Sequence, residues 1–335
     1  MIRTAIARAV TGDELPRDLA RASMEQILAG EATAAQIAAL AVALRMKGET
    51  SQEMAGMAEA LRARVEPIRT RRAPLVDTCG TGGDYANTFN ISTTAAIVAA
   101  SCGVAVAKHG NRAITGRSGS ADVLESLGVR IDLTPASAAR SLDILGITFL
   151  FAPNYHSALR HAAAPRQEIG VRTVFNLLGP LSNPAGARRQ LLGVFLDSLV
   201  HPIAEVLREL GSEHAWVVHG KDGLDELTVY DVTHVAELKD GVIREFQVDP
   251  EALGLKATDR AAIGGADPKA NAEKIRALFD GAKGPAADIV ALNTAAALIV
   301  AGVASDLADG VARARKALDS GAAKAKLAEL AAFRG

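Results

Sequence analysis

Two consecutive strand–glycine loop–helix units constrain this chain more than any other feature. The first spans Pro74–Ser101 (PLVDTCGTGGDYANTFNISTTAAIVAAS) and the second Gly103–Gly128 (GVAVAKHGNRAITGRSGSADVLESLG). Each opens on a short apolar run, passes through several glycines and ends in helix formers. Adjacent units of this kind imply βαβ architecture and a mainly parallel sheet, with both loops at the carboxyl ends of the strands, where open α/β sheets bind ligands. Gly80, Gly82 and Gly83 can take positive φ and turn backbone N–H groups toward one point. Asn90 or Ser92 can cap the next helix, whose N-terminus favours an anion. The loop is not a Walker sequence, since no Gly-Lys-Ser/Thr follows, and Tyr85 stands where a dinucleotide fingerprint needs its third glycine. Alone, it could be only a tight turn.

The second loop removes much of that ambiguity. It concentrates Lys108, His109, Asn111, Arg112, Arg117, Ser118 and Ser120, with Gly110, Gly116 and Gly119 between them. Ser118 or Ser120 can cap a helix beginning near Ala121. Two anion-binding loops on one sheet edge suggest a substrate with two phosphate-bearing ends. A third unit, Trp216–Thr228, places Asp222, Asp225 and Glu226 in a loop after a strand. Neighbouring carboxylates facing phosphates are natural Mg²⁺ ligands, although an ordinary acidic turn has the same composition. A fourth, Ala163–Pro184, offers Arg166, Arg172 and a Gly179-Pro180 turn. Arg166 could hold a carboxylate by a forked contact, or lie on the surface of a helix that starts after Pro165. His109, in a polar loop beside Lys108, reads as a ligand-facing residue. For His156 a structural role is equally compatible. Cys79 has no partner base and reads as a small packed residue.

Up to about Val65 the chain reads as helices only. Thr33 with Gln36 and Thr50 with Glu53 form capping-box patterns, and Gly48 sits where a helix-ending glycine belongs. A basic stretch, Pro67–Pro74, reads as a solvated linker. Beyond it, strands are expected at Leu75–Val76, Val104–Ala107, Val129–Leu133 and Ile147–Ala152. Ala215–His219, Leu227–Asp231, His234–Leu238 and Val242–Val248 lie close enough for antiparallel strands or a hairpin. Asp288–Val300, apolar nearly all round, suits a buried helix, and Arg313–Ala332 an amphipathic surface helix. A chain of 335 residues with 49% hydrophobic content can bury a large core. Its net charge of −1 and 4% aromatic content argue against a nucleic-acid or membrane-surface partner. Two cysteines without metal-ligand spacing suit a reducing compartment. There is no secretory-type N-terminal pattern, and the apolar runs are too short to span a bilayer.

At this point the sequence resembles the anthranilate phosphoribosyltransferases. The motifs run in order along almost the whole chain: KGET at Lys47–Thr50, GTGGD at Gly80–Asp84, NIST at Asn90–Thr93, KHGNRA at Lys108–Ala113, GSAD at Gly119–Asp122, RTVFNLLGPLSNP at Arg172–Pro184 and GLDE at Gly223–Glu226. The resemblance implies a homodimer of the nucleoside-phosphorylase-like phosphoribosyltransferase fold, and the reducing compartment read from the cysteines makes the expected location cytoplasmic. Residues 1–70, joined by a later segment near 165–190, would form a small helical domain. Residues 71–164 and 191–335 would form the large α/β domain. The implied reaction is attack of the anthranilate amine on C1 of 5-phosphoribosyl 1-diphosphate, the second step of tryptophan synthesis from chorismate. Carried over residue by residue, Gly80, Gly83, Asp84, Thr88, Asn90, Ile91, Ser92 and Thr93 would contact the donor. So would Lys108, His109, Gly110, Asn111, Arg112, Ala113, Ile114, Thr115, Gly116 and Ser120. Ser92, Asp225 and Glu226 would bind Mg²⁺. Gly80, Asn111 and Arg166 would meet anthranilate, with His109 and Arg166 as orienting candidates and the Gly179-Pro180 turn along its path. His156-Ser157-Ala158-Leu159-Arg160 replaces the family's more common His-Pro-Ala-Met-Lys run, and Thr115 stands where serine is common. A nucleoside phosphorylase of the same fold would use phosphate and a nucleoside, and the combined NIST, KHGNRA and GLDE motifs argue against it. A nucleic-acid-binding relative would carry a broad basic face and damaged motifs.

Overall fold

The computed structural model describes residues 1–82, 86–113 and 117–335. In chain order the elements are α1 (Ile2–Val10), α2 (Arg17–Leu28), α3 (Ala34–Lys47), α4 (Ser51–Arg62), β1 (Leu75–Gly80), α5 (Ile91–Ser101), β2 (Ala105–Gly110), α6 (Ser120–Ser126), α7 (Pro135–Leu145), β3 (Ile147–Phe151), α8 (Ala152–Tyr155), α9 (Arg160–Ile169), α10 (Val174–Leu178), β4 (Arg189–Gly193), α11 (Val200–Glu209), β5 (His214–Gly220), β6 (Thr233–Lys239), β7 (Val242–Val248), α12 (Pro268–Phe279), α13 (Pro285–Ala301), α14 (Leu307–Asp319) and α15 (Ala322–Ala332).

The strands form one sheet in the order β3-β2-β1-β4-β5-β6-β7. Pairing is parallel from β3 to β5, then antiparallel through β6 and β7. The chain leaves β1 in one direction toward β2 and returns on its other side as β4. The β1–β4 boundary is therefore the switch point at which a crevice opens beyond the strand ends. Side chains alternate between two cores. Leu191, Trp216 and Val218 face one cluster with Ile97, Val290 and Ala295, whereas Leu192, Ala215 and Val217 face another with Leu44, Met54, Leu177 and Leu207. The near-wholly apolar α13 lies under the first face, as its sequence predicts.

The N-terminal helices begin where their caps dictate. Thr33 and Thr50 accept from Gln36 and Glu53 backbone N–H groups, and both reciprocal side-chain bonds form. Glu53 is fully buried and also accepts from Leu15 N–H (2.7 Å) and Lys47 Nζ (3.0 Å), pinning three helical segments together. Helices α9 and α10 pack on α2, α3 and α4. Arg62 donates to the carbonyls of Leu181 and Leu210, joining the helical unit to the 180s turn and to α11.

Several expectations need correction. Val129–Leu133 alternates like a strand, and Val129, Ile131 and Leu133 are buried, yet among the described residues the segment pairs with no strand, and β3 holds the sheet edge. Leu227–Asp231 is an irregular buried turn. The tail is two helices broken at Gly321 (φ 77°), not one. Pro165 lies inside α9 rather than before it. Strand β4 was not anticipated. The β6–β7 hairpin does form, turning at Asp240 and Gly241, both with positive φ.

Candidate active site

The loops after β1, β2 and β5 and the start of α5 converge on one cleft of about 330 Å³. That is within the range of small-molecule sites. Its described lining includes Gly80, Thr88, Asn90, Ile91, Ser92, Thr93, Lys108, His109, Gly110, Asn111, Arg112, Ala113, Ser120, Asp225 and Glu226. All are residues singled out from sequence. Gly83, Asp84, Ile114, Thr115 and Gly116 lie outside the described residues.

The acidic pair organises the cleft. Asp225 Oδ2 accepts from Gly82 N–H at 2.8 Å and Glu226 Oε1 from Ser92 N–H at 3.1 Å. One carboxylate thus holds the glycine loop, and its neighbour holds the first turn of α5. Asn90 precedes that helix but makes no capping bond with its side chain, which instead bonds Ser118 and Asn271. The fit is closest at two glycines. A Cβ on Gly80 would sit 2.5 Å from Asp225 Oδ2, and one on Gly193 only 1.5 Å from the Asp225 carbonyl oxygen.

On the β2 side, Lys108 is buried and donates to the Thr78 carbonyl and, at 3.4 Å, to Ser92 Oγ. Burial lowers its pKa. The His109 Nδ1 faces the Gly179 carbonyl at 3.1 Å, so that nitrogen carries the proton. His109 Nε2 then accepts from His156 Nε2, 3.2 Å away. Burial, and for His109 its histidine neighbour too, pushes these rings down to about 3 for His109 and about 4 for His156. Both are neutral hydrogen-bonding groups near pH 7. Arg112 is turned to Asp122 (2.9 Å) and Glu125 (2.5 Å), so its charge is already matched. Asp122, not Ser118 or Ser120, tightens the start of α6: its Oδ2 accepts from Gly119 and Ala113 N–H. Ser120 instead bonds the Asn111 carbonyl.

The two arginines of the 160s–170s segment are placed differently. Arg172 and Asn176 line the cleft, whereas Arg166 stands outside its described lining with its guanidinium 5.7 Å from the Phe175 ring. Arg172 lies over Phe195 at 4.5 Å. Gly265 and Ala266 also reach the cleft, through Gly265 N–H to the Asn87 carbonyl (2.6 Å). Nothing in their local sequence marks them. Asp222 is drawn away by Thr228 Oγ1 and Arg260. Cys79 is packed against Gln190, and burial raises its thiol well above the usual range, as a packed residue requires.

A helical unit packed on a mainly parallel α/β sheet, with a cleft between two glycine-rich loops, is the architecture of a glycosyl-transferase-type enzyme. The model of the glycosyl transferase family helical bundle domain matches residues 3–65, and that of the glycosyl transferase family a/b domain matches residues 72–324. The anthranilate phosphoribosyltransferase of Rhodospirillum rubrum is 52% identical over 334 residues, covering 100% of this chain and 96% of the relative. That of Myxococcus xanthus is 54% identical over 319 residues, 94% of each. The crystal structure of the Thermus thermophilus enzyme superposes with a TM-score of 0.92 at 46% identity, over 98% of both chains. The Saccharomyces cerevisiae enzyme in complex with PRPP and Mg gives 0.89 at 25% identity, over 98% of this chain and 96% of that one. The chain belongs to the anthranilate phosphoribosyltransferase family. It is an enzyme that transfers the phosphoribosyl group of 5-phosphoribosyl 1-diphosphate to the amine of anthranilate, releasing diphosphate, in the second step of tryptophan synthesis from chorismate.

Proposed function

We propose that the transfer takes place in the cleft between the β1 and β2 loops, with the diphosphate of the donor beside Asp225 and Glu226. The observation that carries this reading is the pair of carboxylate bonds to Gly82 and Ser92, which join the glycine loop to the N-terminus of α5. Asp225, Glu226 and the Ser92 hydroxyl make an oxygen-only donor set, which suits Mg²⁺ and not a soft metal. Among the described residues no group of three or more His, Cys, Asp or Glu gathers to hold a metal. Waters and donor phosphates would therefore complete the shell, as Mg²⁺ prefers. Mg²⁺ bound there would neutralise charge developing on the departing diphosphate.

The chain's own groups do the rest. The α5 N-terminus and the Lys108 ammonium favour the diphosphate. Gly80, Thr88, Asn90, Ile91, Thr93, His109–Ala113 and Ser120 shape the donor site, together with Gly83, Asp84 and Ile114–Gly116. The anthranilate amine keeps a neutral lone pair, so no strong base is needed before attack. Orientation is the main demand, and a held acceptor converts encounter into an aligned step. Gly80, Asn111 and Arg166 are the acceptor contacts carried from the resemblance, and Arg172 adds a cation on the cleft wall.

The helical unit comprises residues 1–70 with about 165–190, against an α/β unit of 71–164 and 191–335. We place the enzyme in the cytoplasm as a homodimer. Supporting this, Cys79 and Cys102 are unpaired, and Met1, Val10 and Met46 are exposed on the mutually packed α1 and α3 region. Among the described residues no helix is long and apolar enough to cross a membrane. The test is an Mg²⁺ titration of turnover in Asp225→Asn/Glu226→Gln. Loss of Mg²⁺-dependent turnover in folded protein supports the assignment; an unchanged titration overturns it.

A further inference from the structure

The β1–β2 pairing is shorter than its neighbours. Its register covers Leu75↔Ala105 and Val76↔Val106, whereas β1–β4 pairing continues from Val76↔Arg189 to Gly80↔Gly193. Beyond Val76, side chains take over from the ladder. The His109 N–H goes to Asp77 Oδ1 at 3.0 Å, and the Thr78 carbonyl receives Lys108 Nζ. Asn183 Nδ2 fills the remaining space, donating to Asp77 Oδ2 and to the Ala107 carbonyl, both at 2.8 Å. Asn183 cannot readily turn over, because its Oδ1 already accepts from Ala185 N–H at 2.8 Å.

We propose that Asp77 is a positioning residue: its carboxylate, wedged between the diverging ends of β1 and β2, sets the separation of the two glycine-rich loops and ties both to the Gly179–Asn183 turn. It does not line the cleft, and its side chain is wholly buried. A carboxylate in the middle of a parallel sheet is costly, and it persists where other groups compensate it. Here they are the opposite charge of Lys108, the His109 N–H, the Asn183 amide and the Cys79 thiol; the neutral His109–His156 pair stands beyond. Each of these bonds ends on an element that bears a site residue. Through His109, Asp77 holds the chain leading to Gly110 and Asn111. Through Asn183, it holds the turn whose Gly179 carbonyl orients the His109 ring. Burial raises the Asp77 carboxyl to about 6. Protonation would replace an acceptor by a donor within this network.

The inference rests on the cleft reading above. It is tested in the full chain with Asp77→Asn, Asn183→Ala and the exchange Asp77→Asn/Asn183→Asp, each checked for folding by circular dichroism and thermal midpoint. In Asp77→Asn the new amide faces the Asn183 amide, donor against donor. We expect KM for the phosphoribosyl donor and for anthranilate to rise by about tenfold or more, with lower kcat, the scale of losing a bond to a buried charged group. The exchange variant restores the pairing and recovers part of the loss. With the Asp77 carboxyl raised to about 6, we expect wild-type kcat/KM to fall as pH drops through that value and the Asp77→Asn profile to lack that fall. Should Asp77→Asn fail to fold, Asn183→Ala decides, since it opens the same bridge from the other side. Folded variants with lower thermal midpoints but wild-type KM, kcat and pH profile would overturn the proposal. Full activity in Asp225→Asn/Glu226→Gln would instead sink the cleft reading, whatever Asp77 does.

Discussion

Gly193→Ala probes the cleft from a residue no substrate needs to touch. Gly193 ends β4 and backs directly onto the loop that carries the acidic pair. The added methyl carbon would lie 1.5 Å from the Asp225 carbonyl oxygen, 2.5 Å from its carbonyl carbon and 3.3 Å from its Cα. Ordinary contact begins near 3.4 Å, so the loop must retreat by about 2 Å. The atom in the way is backbone, so no rotamer change relieves it. Such a retreat would break the 2.8 Å bond from Gly82 N–H to Asp225 Oδ2 and displace both carboxylates from the α5 N-terminus. A misplacement of about 1 Å at a reacting centre can cost about 100-fold in rate. We therefore expect kcat/KM to fall by at least that factor, with the half-saturating Mg²⁺ concentration raised. The assay is the initial rate of anthranilate fluorescence loss across an Mg²⁺ series, with circular dichroism confirming a folded chain. Wild-type rate and Mg²⁺ dependence in folded Gly193→Ala would refute the packing argument and the role given to the acidic loop.

Two further outcomes are expected. Glu53→Ala strands the buried Lys47 ammonium and the Leu15 and Thr50 N–H groups, so urea unfolding should show a loss of about 3 kcal/mol or more. A loss below about 1 kcal/mol would contradict the bonding described. The neutral His109–His156 pair resists protonation in the fold, while the unfolded chain protonates near the ordinary value of 6.5. The stability it contributes is present above that value and is lost as pH falls toward about 4 for His156 and about 3 for His109. His156→Gln should make the acid-side fall in thermal midpoint shallower, and an identical slope would show that the pair does not govern it.

Much of the candidate cleft's lining was legible because the signals that mark it are local. Glycines, a basic loop and an acidic dipeptide each announce themselves, and the strand–loop–helix order fixes the edge to which they belong. Capping boxes located the N-terminal helices for the same reason. Long-range facts were not legible. Strand β4 reads Arg-Gln-Leu-Leu-Gly, and its first two residues are claimed by partners distant in sequence: Arg189 by the Ala301 carbonyl, Gln190 by the Pro180 carbonyl. Val129–Leu133 has the alternation of a strand but no place in the sheet. Glu226 as the helix-terminal acceptor for Ser92 is 134 positions removed from it. Arg166 and Arg172 look equivalent in sequence, and only the path of α9 into α10 decides which reaches the described cleft wall. Asp77 reads as one polar residue in an apolar strand until β2 and the 180s turn are brought against it.

The central claim is phosphoribosyl transfer to anthranilate, and the most direct measurement is a time course of anthranilate fluorescence with wild-type protein. Loss of signal should require protein, 5-phosphoribosyl 1-diphosphate and Mg²⁺ together, with diphosphate released in step with the anthranilate consumed. Folded protein that leaves the fluorescence unchanged in the presence of all three, or that consumes anthranilate equally without the donor, would contradict the account.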